Sequence, residues 1–155
     1  ATGGIVINRF FMRLNAGDNT NELFCSGSGN AVAQPIARGV EEFVVRYQIA
    51  QAGSAALVSA GGVKSQFLTA TQVAADPVGW PGVSAVELCL IVATPQTKGP
   101  AAIGTVQLQP TRPTCTRNNA GAFNNNINRA AGDTRLWKRF TYTIAVKNAI
   151  YAFSF

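Results

Sequence analysis

The sequence predicts a β-dominated α+β fold built on antiparallel sheet, and three observations carry that prediction. Segments rich in β-branched and aromatic residues, several with a period of two, recur along the 155-residue chain. Clusters of Gly, Asn, Ser and Pro separate them, the residue types that supply αL backbone or a preset φ. Helical signal is confined to residues 65–75 and a start over 34–42 that stays open. The length fits one domain, residues 1–155, large enough to bury a core without staples.

In chain order, residues 4–12 form the first predicted strand. Residues 15–19 (Asn15, Ala16, Gly17, Asp18, Asn19) are a turn by composition. Residues 21–25 form a short second strand, ended by the Gly/Ser cluster of residues 26–30. From about Val40 to Ala50 Phe43, Val45, Tyr47 and Ile49 share one face and Val44, Arg46 and Gln48 the other, a strand period. A helical start over 34–42 stays open. Residues 51–62, built mainly from Ala, Gly and Ser, read as a mobile loop. Residues 65–75 offer one or two helical turns, with Thr69 as N-cap and Pro77 as stop. Residues 76–82 are irregular. Residues 83–94 are the strongest strand, apolar on both faces and so expected in a central, covered position. Residues 95–132 read as a long irregular excursion with one short strand at 105–109, and an excursion of that length is either functional or poorly ordered. Residues 134–146 form a long last strand, with Leu136, Lys138, Phe140, Tyr142, Ile144 and Val146 on one face.

Composition excludes several function classes. Apolar residues make up 47% and charged residues 13%, so disorder by charge excess is out. Histidine is absent, which removes the commonest general base, the His-dependent nucleophile systems and most zinc and haem sites. The longest apolar run, residues 88–93, falls far short of the ~20 residues that span a bilayer. No signal-peptide pattern opens the sequence. Glu41 and Glu42 are the only adjacent carboxylates, and on a strand they point to opposite faces and cannot share a proton. Asp18, Asp76 and Asp133 each adjoin turn residues and are expected to serve there. Residues 27–29 (Gly-Ser-Gly) lack the Gly-Lys-Ser/Thr that would complete a phosphate loop. No carboxylate cluster suggests a cation cage, and no cofactor is expected.

The net charge is +6, from 13 basic and 7 acidic residues, and it is concentrated late in the chain. Arg112, Arg117, Arg129, Arg135, Lys138, Arg139 and Lys147 share their stretch with Asp133 alone. Such a stretch could neutralise phosphates while Trp137 and Tyr142 stack on bases. The plainer reading is a solvated loop and a charged edge strand, because no nucleic-acid-binding motif accompanies it. Of the three cysteines, Cys89 lies within the strongest strand and reads as a buried apolar thiol. Cys25 and Cys115 sit beside turn formers and are the preferred bridge should the compartment be oxidising, closing a loop of about 90 residues.

Five ordered segments carry a family resemblance: residues 22–27, residues 34–47 with Gly39-Val40-Glu41-Glu42-Phe43-Val44-Val45-Arg46-Tyr47, residues 67–70, residues 80–92, and residues 139–148 ending in Lys147-Asn148. Together they cover about half the chain, and their order resembles the C-terminal globular region of PilW-type minor pilins of bacterial type IV pili. They are similar, more distantly, to the J-type pseudopilins of type II secretion. The resemblance implies a non-enzymatic head domain without the family's N-terminal apolar helix, which is the expected route to the membrane in the intact protein. It implies assembly with other minor pilins and a large tip-associated protein, to initiate pilus assembly at the tip of a Gram-negative bacterium's pilus. It also implies an oxidising context, hence a Cys25–Cys115 disulfide, with Cys25–Cys89 as second choice. Arg112, Arg117, Arg129, Arg135, Lys138, Arg139, Tyr151, Phe153 and Phe155 are the candidate interaction residues. The alternatives are a DNA-contacting pilus component using residues 112–147 and a secreted adhesin-like module, the latter tested by glycan binding.

Overall fold

The computed structural model describes residues 7–17, 20–49, 67–95, 110–118, 121–124 and 127–146. Among them the protein is β-dominated with one short α-helix, as the sequence predicts. By internal contacts it divides into two compact units. The first takes Ala1–Phe43, Leu90–Cys115 and Asn125–Arg139, and the second takes Val44–Cys89, Thr116–Asn124 and Phe140–Phe155.

The first unit holds an antiparallel three-stranded sheet, ordered β1 (Asn8–Asn15), β2 (Thr20–Gly27), β3 (Asn30–Arg38). β1 runs past the predicted end at Met12 because its ladder with β2 is unbroken from Asn8↔Gly27 to Asn15↔Thr20. At the turn Asn15 Oδ1 accepts from the Gly17 amide at 2.9 Å, the side-chain mimicry that makes Asn a turn former. β3 is a strand that residue preferences do not announce. Its Gln, Pro and Ala content left a helix open over 34–42, but pairing with β2 decides the matter. Pro35 is tolerated because β3 is an edge strand, and the β2–β3 ladder slips twice.

Gly39 alone joins β3 to β4 (Val40–Ile49). Its φ is +68°, and a Cβ there would collide with the Ala93 carbonyl oxygen. The close approach is used, since the Ala93 amide donates to the Gly39 carbonyl at 2.8 Å.

A second sheet has the order β4, β5 (Val83–Ala93), β8 (Trp137–Ala145). β5 is central, as expected, and none of its residues is exposed. Its alternate positions Val83, Ala85, Glu87, Cys89, Ile91 and Ala93 are buried. The core of the second unit gathers Ile49, Val73 and Val83, with Tyr47, Leu68, Val86 and Val146 packed against them. Val73 comes from α1 (Ala70–Ala75), whose start obeys the sequence signal. The Thr69 hydroxyl accepts from the Gln72 amide, and the Gln72 side chain accepts from the Thr69 amide. Asp76 closes the helix and accepts from the Val78 amide at 3.0 Å, so it serves the bend as expected. Trp80–Gly82 then forms one 3-10 turn.

The stretch 95–132 is more ordered than predicted in the parts described. β6 (Thr111–Arg112) pairs with β7 (Ile127–Asn128) in the first unit. In the second, an Arg117↔Phe123 bridge closes a turn in which Asn118 bonds both Gly121 and Ala122. The expected loop at 51–62 and strand at 105–109 lie outside the described residues.

The expected Cys25–Cys115 bridge is corrected, as is its Cys25–Cys89 alternative. Cys25 is a free thiol, and Cys89 and Cys115 are the disulfide-bonded pair. Cys25 lies mid-β2 with Phe10 and Gln34 as its cross-strand partners, and neither flanking strand carries a cysteine. Proximity to a turn in sequence says nothing about which thiols meet; Cys89 and Cys115 are both fully enclosed.

Candidate interaction surface

Six of the seven carboxylates fall among the described residues, and each has a fixed partner. Glu22 accepts from Arg38 at 2.7 Å and from Asn15 at 3.1 Å. Glu41 takes Asn21 and Arg135, while Glu42 takes Arg112, the Thr114 hydroxyl and the Cys115 amide. The two neighbours thus serve different partners, as opposite strand faces require. Glu87, buried on the central strand, lies between Arg46 and Arg117. A buried charge of this kind survives only with such compensation.

Asp133 organises the last cluster. It accepts from the Arg135 amide and guanidinium at 3.0 Å and from the Trp137 indole at 3.1 Å, with Arg129 at 3.7 Å. Burial alone pushes its carboxyl up, but hydrogen bonds from the Arg135 side chain and backbone, with the charges of Arg135 and Arg129, outweigh this and hold it below its ordinary value. Arg112 and Arg135 also lie over the Trp137 ring, 4.8 and 4.3 Å from its centroid.

These contacts locate the sequence-selected cations. Arg112, Arg117, Arg129 and Arg135 are ion-paired, and Arg139 donates to the Thr114 carbonyl at 3.2 Å. Arg117 is further enclosed by the Phe123 and Phe67 rings and the Gly121 carbonyl. Lys138 is exposed. Tyr151, Phe153, Phe155 and Lys147 lie outside the described residues. The acceptors Glu41, Glu42 and Glu87 stand far from residues 112–147 in sequence, so charge counting along that stretch could not find them.

Among the described residues of the second unit, apolar rather than ionic side chains are what β8 leaves in water. Along β8, an edge strand, Phe140, Tyr142 and Ile144 share one face and are 53%, 69% and 45% exposed. Beyond them Val146 turns inward onto the Ile49–Val73–Val83 core. The sequence foresaw the common face but not its exposure, because periodicity identifies faces and not what covers them. Among the described residues no group of three metal-capable side chains converges, and no helix is long and apolar enough to cross a membrane. Among the described residues, the second unit encloses the paired charges of Arg46, Glu87 and Arg117 and shows apolar side chains on β8, the chemistry of surface contact.

No curated protein and no solved structure matches the chain. A family model does. The model of type IV pilus-assembly protein W matches residues 9–148, about nine-tenths of the chain, and includes all five segments that carried the resemblance. The protein is therefore a member of the PilW family of type IV pilus assembly proteins.

Proposed function

We propose that this chain is the globular head of a minor pilin that assembles with other minor pilins and a large tip-associated protein to initiate pilus assembly. The family match is the observation that carries this reading. Two features of the structure support it. The described carboxylates are engaged in structural pairs, which suits a non-enzymatic subunit. The exposed Phe140, Tyr142 and Ile144 face offers apolar area for a neighbouring subunit. On this reading the protein acts at the pilus tip on the cell surface, reached through the inner membrane and periplasm, and it contributes indirectly to adhesion and twitching.

Deletion of the gene, followed by counting surface pili and co-purifying the remaining minor pilins, tests the proposal. The expected result is few or no pili, restored by the wild-type gene but not by Tyr142→Glu. Normal piliation in the deletion strain would overturn it. The DNA-contacting alternative draws less support, because four of the arginines it needs are ion-paired. It would gain from duplex DNA retention that falls steeply between ~50 and ~200 mM salt and is lost in Lys138→Glu.

A further inference from the structure

Once the internal ion pairs are assigned, the charge left over among the described residues is not confined to the stretch where the sequence concentrates it. Of the ten basic residues described, six pair with carboxylates, and Arg139 bonds a carbonyl. Arg9, Arg13 and Lys138 remain without a carboxylate among the described residues, and the first two share one strand, β1. Both are exposed and sit on one face of it. Arg9 lies 5.5 Å from the Phe11 ring centroid and Arg13 lies 4.3 Å from that of Phe24. Phe11 and Phe24 are themselves stacked at 5.7 Å. The two guanidiniums therefore rest on a fixed aromatic base, about four residues or 13 Å apart along the strand.

The opposite face of β1 is apolar. Phe10 and Leu14 are 50% and 53% exposed, with Met12 between them. β1 is an edge in the order β1-β2-β3, and no strand pairs with its outer side among the described residues. The direction of its free groups follows from the register. The Ser28 amide donates to the Ile7 carbonyl at 2.9 Å, so Ile7 and Ser28 are a hydrogen-bonded pair. Alternation then directs the odd-numbered amides of β1 to β2 and those of Phe10, Met12 and Leu14 outward. The other edge of the sheet is blunted, since β3 contains Pro35 and its ladder slips twice.

We infer that the outer edge of β1 accepts an added antiparallel strand from an acidic partner protein, with carboxylates opposite Arg9 and Arg13 and apolar side chains opposite Phe10 and Leu14. Outward amides supply the affinity of strand addition; the cationic face and the apolar face fix its register and chemistry. An acidic partner complements a chain of net charge +6. A polynucleotide is disfavoured, because the rings that would stack on bases are already covered by the guanidiniums and Phe24 is buried. The inference deepens the assembly reading by naming the chemistry of a partner, and its test is independent of pilus formation.

The probe is a seven-residue peptide alternating valine with polar positions, with glutamates at its second and sixth positions. Binding to the purified full chain is followed by anisotropy and by amide exchange. Slowed exchange at Phe10, Met12 and Leu14 is expected. A copy with lysines for glutamates, and a copy N-methylated on its bonding amides, should both fail to bind. Arg9→Glu with Arg13→Glu should weaken the glutamate peptide about tenfold or more and rescue the lysine peptide. Equal binding by the N-methylated peptide would overturn strand addition. So would absence of binding by the glutamate peptide, self-association of the double variant with no peptide bound by either form (the mark of charges that only protect an edge), or retention of duplex DNA through Arg9 and Arg13 in place of the peptide. None of these outcomes bears on the piliation assay, so the two proposals fail separately.

Discussion

Gly39 and Asp133 show how much of this fold rests on single positions. At Gly39 a positive φ coincides with close approach to the Ala93 carbonyl, so any side chain meets both backbone strain and steric overlap. Gly39→Ala is expected to cost about 3 kcal/mol or more, read as a lowered midpoint in chemical denaturation. Asp133 acts through charge. Its folded pKa is depressed below the ordinary 3.8, so its contribution is fully present above that value and is lost as pH falls through the folded value. Stability should therefore drop on the acid side of about pH 4, and Asp133→Asn should flatten that limb while lowering stability at neutral pH by about 1–3 kcal/mol. Stability measured from pH 2 to pH 7 checks this; an acid limb unchanged in the variant would exclude Asp133 as its source.

Among the elements, α1 and β5 were the best announced by sequence, and for different reasons. α1 is a local matter. Thr69 and Gln72 satisfy each other's backbone amides, a signal contained within four residues. Thr69→Ala should remove the hydroxyl arm, leave the backbone amide of residue 69 bonded to the Gln72 side chain, and cost about 1 kcal/mol, measured by thermal or urea unfolding. β5 is apolar enough that its central position follows from composition, yet it hides Glu87 among its buried positions. That residue is acceptable only because Arg46 and Arg117 arrive from elsewhere. β3 was the least legible element. Its preferences favour no state, and its strand conformation comes from the β2 ladder.

For the whole molecule, the covalent framework is the clearest correction. The Cys89–Cys115 bridge closes a far shorter loop than the expected one, about 26 residues, and the loop-entropy argument gives about 3–4 kcal/mol for it. Alkylation of the unfolded, unreduced chain should modify one thiol, Cys25, and a non-reduced digest should yield a linked peptide pair containing Cys89 and Cys115. Three alkylated cysteines would contradict the framework. We further propose that residues 1–155 unfold as one domain, since β4, β5 and β8 each contribute residues to both compact units. One thermal transition with coincident near- and far-ultraviolet signals is the expected observation, moving to lower temperature on reduction.

What the sequence determined by itself was whatever local chemistry encodes: the β-dominated class, the central β5, the capped start of α1, the turn roles of Asn15 and Asp76, and the family. The structural features depend on residue type and short-range periodicity, whereas the family resemblance rests on the order of five segments along the chain. Tertiary structure alone decided which groups distant in sequence would meet. It gave Glu41, Glu42 and Glu87 to the arginines of 112–135, joined Cys89 to Cys115, and left Arg9 and Arg13, without a carboxylate among the described residues, on the edge strand β1. Pairing of charges and thiols is a property of distance and burial, and a linear count of residues contains neither.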